Sequence, residues 1–331
     1  IIMKKLITIL SLAVVGFTFA QEEEPTFTVS GSIDAYFRAN LSSSNMGNTG
    51  DTSIFADDAG FSLGLANVNF SYEGEKVGFV LDMAMGNRAD VYNGGNLVNQ
   101  AYMYWNATDK MTLQMGRFNN WMGYERLSAA NNFHYSMSHM YSFTARNFNG
   151  LVGRFDLGND WGLGIALMNP LNDIEGNQDT GAYSVGAGVW KGKTSVSALA
   201  SQESTYIDFK TAFDVSESFS VALNAHIADY SGGDAEGYQP GEGFTSISAY
   251  PQIKSSETMS WGMRLEYMMF DSYANDLTVF SPTLTANYTV GALTIKPELR
   301  LDAASEDIYT DNDGAAAGGL TAFTLAAVYS F

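Results

Sequence analysis

Cysteine is absent from this chain of 331 residues. Its absence excludes disulfide scaffolds, thiolate metal sites, cysteine nucleophiles and lipid attachment through a cysteine. Basic residues are scarce as well: 17 Lys and Arg stand against 36 Asp and Glu, for a net charge of −19. Because binding to a phosphate backbone requires Lys and Arg, we expect no nucleic-acid partner.

Long hydrophobic runs are missing beyond the first twenty residues, so we expect no transmembrane helix in the main part of the chain. Residues 1–20 read as a secretory signal peptide, in which Lys4 and Lys5 precede a short apolar run and a small-x-small cleavage site ends at Ala20. Residues 1–2 form an extension upstream of Met3. A membrane anchor is the weaker alternative, since the run is short. Residues 21–25 form a short acidic segment, and residues 26–331 are predicted to be one barrel domain.

Alternation with a period of two dominates the remaining sequence. In "LTIKPELRLD", residues 293–302, every second residue is apolar and every residue between them is polar or charged. About sixteen such segments can be marked, among them 77–88, 205–214 and 293–304. They are joined alternately by tight polar turns and by longer loops rich in Gly, Asn, Asp and Ser. This arrangement is typical of an outer-membrane barrel with short periplasmic turns and long extracellular loops.

A soluble β-protein is the alternative, but it must bury its apolar faces beneath a second layer, and no segment has the residues to form one. We therefore predict an all-β fold: a transmembrane antiparallel β-barrel of about sixteen strands in the bacterial outer membrane. The apolar face switches within 61–73 and 111–124, which indicates bulges. Three prolines inside predicted strands, Pro251, Pro282 and Pro297, lack the ladder donor that a closed barrel uses.

The last residues, "LTAFTLAAVYSF", alternate and end on an aromatic side chain. They resemble the C-terminal assembly signal of bacterial outer-membrane barrels. The aromatic residues of this predicted signal are Phe323, Tyr329 and Phe331.

The first half of the chain resembles the OmpL-like β-barrel porins of Gram-negative bacteria. The resemblance is clearest over about 30–170 and is carried by Gly31, Asp34 and Tyr36, by Asp82, by Gln100-Ala101-Tyr102, by Gly116-Arg117-Phe118, by Gly123 and Glu125, and by Asn132, Phe133, Tyr135 and Ser136. Phe133 replaces the Trp of the family pattern. The resemblance implies a porin-type role and leaves the solute open.

No constellation of residues indicates an enzyme. The histidines are His134, His139 and His226, and the run "HYSMSH" brings two of them close to Ser136 without an orienting acid. Two histidines five residues apart are a weak metal signal. We expect no catalytic residues, metal or cofactor.

The loop 125–144 is long and aromatic and is the third long loop of the chain. Similarity to sixteen-stranded porins, whose third loop narrows the lumen, implies that it folds into the lumen as a constriction; capping of the outer mouth is the alternative. Its candidate residues are Glu125, Arg126, Asn132, Phe133, Tyr135 and Ser136. The candidate pore-lining residues are Asp34, Tyr36, Arg38, Asp82, Arg117, Arg154, Asp156, Arg264, Glu266, Lys296, Glu298 and Arg300, with Asp302 beside them. Acidic and basic groups on opposing walls create a transverse electric field that filters ions. The alternative is that they stabilise the wall as cross-strand pairs.

Most of the surplus acid lies in the predicted loops, and an acidic mouth concentrates cations. The acidic loop residues are Asp51, Asp57, Asp58, Asp173, Glu175, Asp179, Asp234, Glu236, Glu242, Glu306, Asp307, Asp311 and Asp313. We therefore expect a porin for passive diffusion of small hydrophilic solutes, with a weak cation preference. A substrate-selective channel for sugars, peptides or cations and a plugged structural or adhesive barrel are the alternatives. The expected partners are outer-membrane lipid and lipopolysaccharide, the solutes, the barrel assembly machinery and further copies of the chain.

Overall fold

The computed structural model describes residues 25–43, 59–170, 183–202, 204–230, 242–271 and 277–331. The predicted signal peptide 1–20 and most of the acidic segment 21–25 lie outside these ranges. The same holds for the acidic residues Asp51, Asp57, Asp58, Asp173, Glu175, Asp179, Asp234 and Glu236.

Sixteen antiparallel strands close into one barrel, in which each strand pairs with the next barrel strand along the chain and the last pairs with the first. The strands are β1 Thr26–Asn40, β2 Gly60–Glu73, β3 Val77–Met85, β4 Val98–Thr108, β5 Met111–Asn119, β6 Asn147–Gly158, β7 Trp161–Met168, β8 Ser184–Lys191, β9 Thr194–Ala200, β10 Thr205–Asp214, β11 Phe219–Asp229, β12 Gly243–Lys254, β13 Met259–Asp271, β14 Thr278–Val290, β15 Leu293–Ala304 and β18 Gly319–Ser330. A two-stranded hairpin, β16 Tyr309–Thr310 and β17 Ala316–Ala317, lies in the connection between β15 and β18. The predicted fold class is confirmed.

Within the described ranges two short helices interrupt this pattern: α1 at Asn87–Asn93 and α2 at His139–Phe143. No helix in the described ranges is long and apolar enough to cross a membrane. The first helix corrects the predicted strand 77–88, which ends at Met85. The predicted strand 111–124 also ends early, at Asn119, and the chain then turns into the barrel.

Side chains alternate between a buried inner face and an exposed outer face. In β1 the predicted polar face, Asp34, Tyr36 and Arg38, is buried, whereas Phe27 and Ile33 of the opposite face are exposed. Large apolar side chains are exposed in this way around the wall, where hydrocarbon covers them. The apolar residues therefore face lipid and the polar residues face the lumen.

The face switch predicted in β2 is a bulge. Asp34 pairs with Leu65 and Ala35 pairs with Leu63, so Gly64 is the extra residue. Phe61 and Leu63 consequently point outward, while Leu65 points inward and is buried. In β5 the second suspected switch coincides with Gly116, whose φ is +135°.

The three strand prolines are accommodated without a change of register. Each proline lies on the outer face. Pro282 and Pro297 each stand between two buried residues of the inner face, and Pro251 follows one. The β12–β13 ladder resumes in the same register after a gap at Pro251, and the β14–β15 ladder does so at Pro282 and Pro297. Each proline is thus matched by a short gap in one ladder, while the other neighbouring strand stays paired.

Candidate functional site: the inward segment and the lumen wall

Residues 120–146, between β5 and β6, lie inside the barrel, and we call them the inward segment. They contain a 3-10 turn at Ala129–Asn131 and the helix α2. Ser128 caps the first by accepting a hydrogen bond from Ala130 N, and Ser138 caps the second by accepting one from Tyr141 N. The remaining backbone is irregular, so its polar groups need partners on the barrel wall.

Carboxylates bind the backbone N–H groups of this segment. Glu298 accepts hydrogen bonds from Tyr135 N at 2.7 Å and Ser136 N at 2.9 Å. Glu266 on β13 does the same for His139 N at 2.8 Å and Met140 N at 2.9 Å. Each of these wall carboxylates therefore fixes two consecutive peptide groups through charge-assisted hydrogen bonds.

Cations bind the carbonyl groups of the same segment. Lys296 Nζ donates to Ala129 O at 2.9 Å and Asn132 O at 2.5 Å. Arg264 donates to Ser136 O at 2.6 Å, and Arg300 donates to Met137 O at 2.8 Å. Wall residues of both signs thus alternate along the inner faces of β13 and β15 because the segment presents both donors and acceptors.

Residues that carry the family resemblance contact one another where the inward segment meets the wall. The Tyr135 hydroxyl donates to Asp34 Oδ1 at 2.5 Å, and the Tyr135 ring lies 5.4 Å from that of Tyr36. Burial raises the pKa of Tyr135 well above its ordinary value. A Cβ at Gly64 would overlap both Asp34 and the Tyr135 hydroxyl, so the bulged glycine leaves room for this contact.

Glu125 completes the motif from within the segment. Its carboxylate accepts from Ser138 N at 2.8 Å and from the Ser138 hydroxyl at 2.6 Å, and it pairs with Arg264 Nη1 at 2.8 Å. Asn132 closes a local turn, because it accepts from Arg126 N at 2.8 Å and donates to Arg126 O at 2.6 Å. The segment is therefore held to itself as well as to the wall.

All three histidines lie at this interface, and each is buried beside a carboxylate. His134 is 4.0 Å from Glu298, His139 is 3.3 Å from Asp302, and His226 is 3.1 Å from Asp208. His134 Nδ1 also contacts Thr285 Oγ1 at 2.7 Å. Burial, with a contribution from Arg264, lowers the pKa of His134 from 6.5 to about 3, so this ring is neutral at pH 7.

The structure covers most of the candidate pore-lining charges. Asp34, Arg264, Glu266, Lys296, Glu298, Arg300 and Asp302 are all buried beneath the inward segment. The expectation that they face open lumen is corrected for this group, because backbone groups of the segment occupy the space in front of them. Arg38 is buried against Asn40, and Asp82 accepts from Asn67 and Asn99. Arg117 is buried next to Gly116, whereas Arg154 and Asp156 are exposed.

Two of the cavities that the described residues line inside the barrel extend towards the end that carries the short turns. One, of about 440 Å³, is lined by β6–β10 and includes Arg154, Trp190 and Lys193. The other, of about 540 Å³, is lined by β1–β5 and is rich in amide side chains, including Asn67, Asn99 and Asn119. Trp121 and Arg126 of the inward segment line both cavities and separate them.

The long-loop end of the lumen is apolar. Inward residues of several strands pack with Phe143 of the segment, whose ring lies 5.0 Å from that of Phe270 and 6.3 Å from that of Phe244. Tyr230 joins this cluster and donates from its hydroxyl to Phe143 O at 3.2 Å. The inward segment therefore contacts the wall at both mid-height and the loop end.

Sequence reasoning missed two cations that hold the segment. Arg88 follows β3, donates to Tyr135 O at 3.0 Å, and lies 4.8 Å from the centre of the Tyr135 ring. Lys210 donates to Trp121 O at 2.6 Å and Gly123 O at 3.0 Å. The alternation in β10 places Lys210 on the inner face and is the signal that could have identified it; nothing in the local pattern marks Arg88.

A closed sixteen-stranded barrel with lipid-facing apolar side chains and a segment folded into its lumen defines an outer-membrane porin. The chain belongs to the family described as beta-barrel porin-2, OmpL-like, whose profile matches residues 26–331. No curated protein matches the chain.

Solved structures share this fold at low sequence identity. The chain is similar to a loop L8 deletion mutant of OmpT, an outer membrane protein of Vibrio cholerae, with a TM-score of 0.62 and 10% identity over 93% of this chain and 100% of the other. It is similar to the outer membrane channel DcaP of Acinetobacter baumannii, with a TM-score of 0.62 and 13% identity over 96% and 100%. It is also similar to an anion-selective porin from Comamonas acidovorans, with a TM-score of 0.61 and 11% identity over 93% of this chain and 100% of the other.

Proposed function

We propose that this porin passes small hydrophilic solutes passively and that the inward segment sets the upper size of those solutes. The observation that carries the proposal is the double anchoring of the segment by Glu298 and Glu266, each of which binds two consecutive backbone N–H groups. A segment fixed in this way is a rigid obstacle rather than a mobile loop. The cavities on its two sides are the spaces through which we expect solutes to move.

The ion preference follows from two opposing features. The acidic residues of the long loops favour a weak accumulation of cations at the outer mouth. The cavity beside β6–β10 is instead lined by cations, including Arg154 and Lys193. A weak cation preference therefore stays a prediction about the mouth, and the reversal potential in a salt gradient measures which feature prevails.

We also propose that the chain carries no catalysis. His134 contacts Thr285, and the ring of His139 contacts Ser281 and Asp302, so both histidines serve in attaching the segment. Ser136 donates its N–H to Glu298 and accepts from Arg264 through its hydroxyl. This engagement supports a structural role for the "HYSMSH" run.

The proposal has four further parts. The chain is exported through a signal peptide, and the barrel assembly machinery recognises Phe331. The barrel contacts lipopolysaccharide, and several copies associate. OmpT of Vibrio cholerae has been solved in a trimer form, and its similar fold supports testing for trimers here. Chemical crosslinking in native outer membranes, compared with crosslinking after dilution in detergent, measures this state.

A plugged barrel is a second candidate, favoured by the apolar cluster around Phe143, Phe244 and Phe270 at the loop end. Liposome swelling separates the two candidates. Folded protein in liposomes is expected to admit a pentose faster than a disaccharide, which supports the porin with a size limit. Swelling rates equal to those of protein-free liposomes for both sugars support the plugged barrel.

A further inference from the structure

The cavity of about 440 Å³ beside β6–β10 has an unusual lining for so acidic a chain. The charged residues that line it are Arg126, Arg154, Lys193 and Lys210, and no Asp or Glu stands among its lining residues in the described part of the chain. Because mixed charge is the rule elsewhere in this lumen, a cavity with cations alone points to an anionic solute.

These cations keep donors available for a ligand. Arg154 makes no hydrogen bond or ion pair with any residue that the structure describes, and it is exposed to the cavity. Arg126 uses its Nη1 on Gly123 O and Glu125 O, which leaves its other guanidinium N–H groups. Lys210 donates two hydrogen bonds to the inward segment, which leaves one of its three N–H groups.

The neighbouring acids lie at the margin of the cavity. Asp214 pairs with Lys193 at 2.9 Å, but both side chains are mostly exposed, so this pair is weak. Asp156 follows Arg154 on the same face and accepts from Gly158 N in the turn. Asp208, next to Lys210 on β10, is buried against His226 and Asn224.

Two tryptophans give the cavity an apolar surface. A Cβ at Gly162 would overlap the ring of Trp190, and a Cβ at Gly186 would come within 2.8 Å of the ring of Trp121. Glycines on β7 and β8 therefore clear the wall so that these rings lie along it. A Cβ at Gly164 would meet nothing closer than 3.5 Å, so the space beside the rings stays open.

We propose that this cavity is a binding site for small organic carboxylates that carry a flat apolar group. Arg154 and Lys193 contact the carboxylate, for which a guanidinium offers two parallel donors. Trp190 and Trp121 contact the apolar group. The inference rests on the proposed porin function and names the solute class that the channel would favour.

Benzoate is the probe, and benzyl alcohol is its uncharged counterpart. In planar bilayers, benzoate added on either side is expected to interrupt the wild-type current at concentrations where benzyl alcohol does not. The double variant R154Q/K193Q is expected to bind benzoate about tenfold more weakly, because it loses charged hydrogen bonds. The variant W190L is expected to lose affinity for benzoate while its conductance in chloride salt stays that of the wild type.

The control is Lys191→Gln, which removes one positive charge from an exposed outward residue at the same end of the barrel. It is expected to behave as wild type. The shift between folded and heated mobility in gel electrophoresis shows for each variant that the barrel has formed. Equal effects of benzoate and benzyl alcohol on wild-type channels, or an unchanged benzoate affinity in folded R154Q/K193Q, overturn the inference.

Titration calorimetry of the detergent-solubilised barrel separates this inference from the porin function. Benzoate binding that R154Q/K193Q weakens, in a barrel without conductance, supports the site and contradicts the channel. Conductance and sugar uptake without any benzoate binding support the channel and contradict the site.

Discussion

Lys296 and Glu298 lie two residues apart on the inner face of β15 and bind opposite kinds of backbone group in the inward segment. Lys296 Nζ lies 2.5 Å from Asn132 O, and Glu298 Oε2 lies 2.7 Å from Tyr135 N. The pair forms where an irregular segment crosses the lumen and needs partners for both its donors and its acceptors. Mixed charge on this wall is therefore explained by attachment of the segment.

Removing the charge of Glu298 is expected to loosen the segment. Glu298→Gln keeps the shape of the side chain but weakens two charge-assisted hydrogen bonds, at a cost of about 1.5–3 kcal/mol. The expected results are a lower unfolding temperature in detergent and faster trypsin cleavage after Arg126. Glu257→Gln, in an exposed turn beside Lys254, is the matched control. Identical cleavage rates for E298Q, E257Q and wild type would contradict the anchoring role.

Acidification is expected to destabilise the docked segment through His134. The pKa of His134 falls from 6.5 to about 3 on burial, so the folded protein binds fewer protons than the unfolded chain between these values. The contribution of this ring to stability is complete above pH 6.5 and is lost as the pH falls towards 3. The charged groups next to the ring are Arg264, Lys296 and Glu298.

The measurement is the unfolding temperature and channel conductance from pH 7 to pH 4 for wild type and His134→Gln. We expect the wild-type unfolding temperature to fall more steeply with acid, since the variant has no ring to protonate. Parallel pH profiles in the two proteins would show that His134 does not sense pH.

A side chain at Gly64 is expected to break the contact between Asp34 and Tyr135. A Cβ there would overlap both groups, and the buried Asp34 would lose its hydroxyl donor, at a cost of about 1–3 kcal/mol. Gly64→Ala is therefore expected to lower the unfolding temperature. Gly164→Ala, whose Cβ has 3.5 Å of clearance, is expected to leave the unfolding temperature unchanged. The idea fails if both substitutions have the same effect.

The terminal aromatic residue is expected to affect the assembly of the barrel more than the stability of the folded barrel. Phe331 exchanges backbone hydrogen bonds of 3.0 Å with Gly31 across the seam between β1 and β18, and its side chain is exposed. Phe331→Ser keeps these backbone bonds. It is expected to reduce the amount of barrel in the outer membrane without changing the unfolding temperature of the refolded protein. Leu325→Ser, at an exposed position of β18, is the control, and equal membrane levels of the two variants would contradict an assembly signal.

The barrel was predictable because alternation is a local property of the sequence. The strands β10 and β15 begin and end where the pattern 205–214 and 293–304 does, since the boundary between lipid and water dictates every second residue. The bulge in β2 was also visible as a face switch. The helix α1 was not, because its seven residues, including the buried Arg88 and Tyr92, are determined by packing against the inward segment.

The attachment of the inward segment was only partly predictable. Its position as the third long loop, by likeness to sixteen-stranded porins, implied a loop inside the barrel, and alternation placed Arg264 and Glu298 on the inner wall. Many of the contacts join residues more than a hundred positions apart, such as His139 and Glu266. No local pattern records which backbone group each wall charge meets, so the same charges were first interpreted as a lining of the pore.

The most direct test of the account is the single-channel conductance of wild type beside a variant in which residues 127–138 are replaced by a short Gly-Ser linker. If the inward segment narrows the channel, the wild type gives small, steady steps and the variant gives clearly larger ones in the same salt. Equal steps from two barrels that are both folded would contradict the central claim.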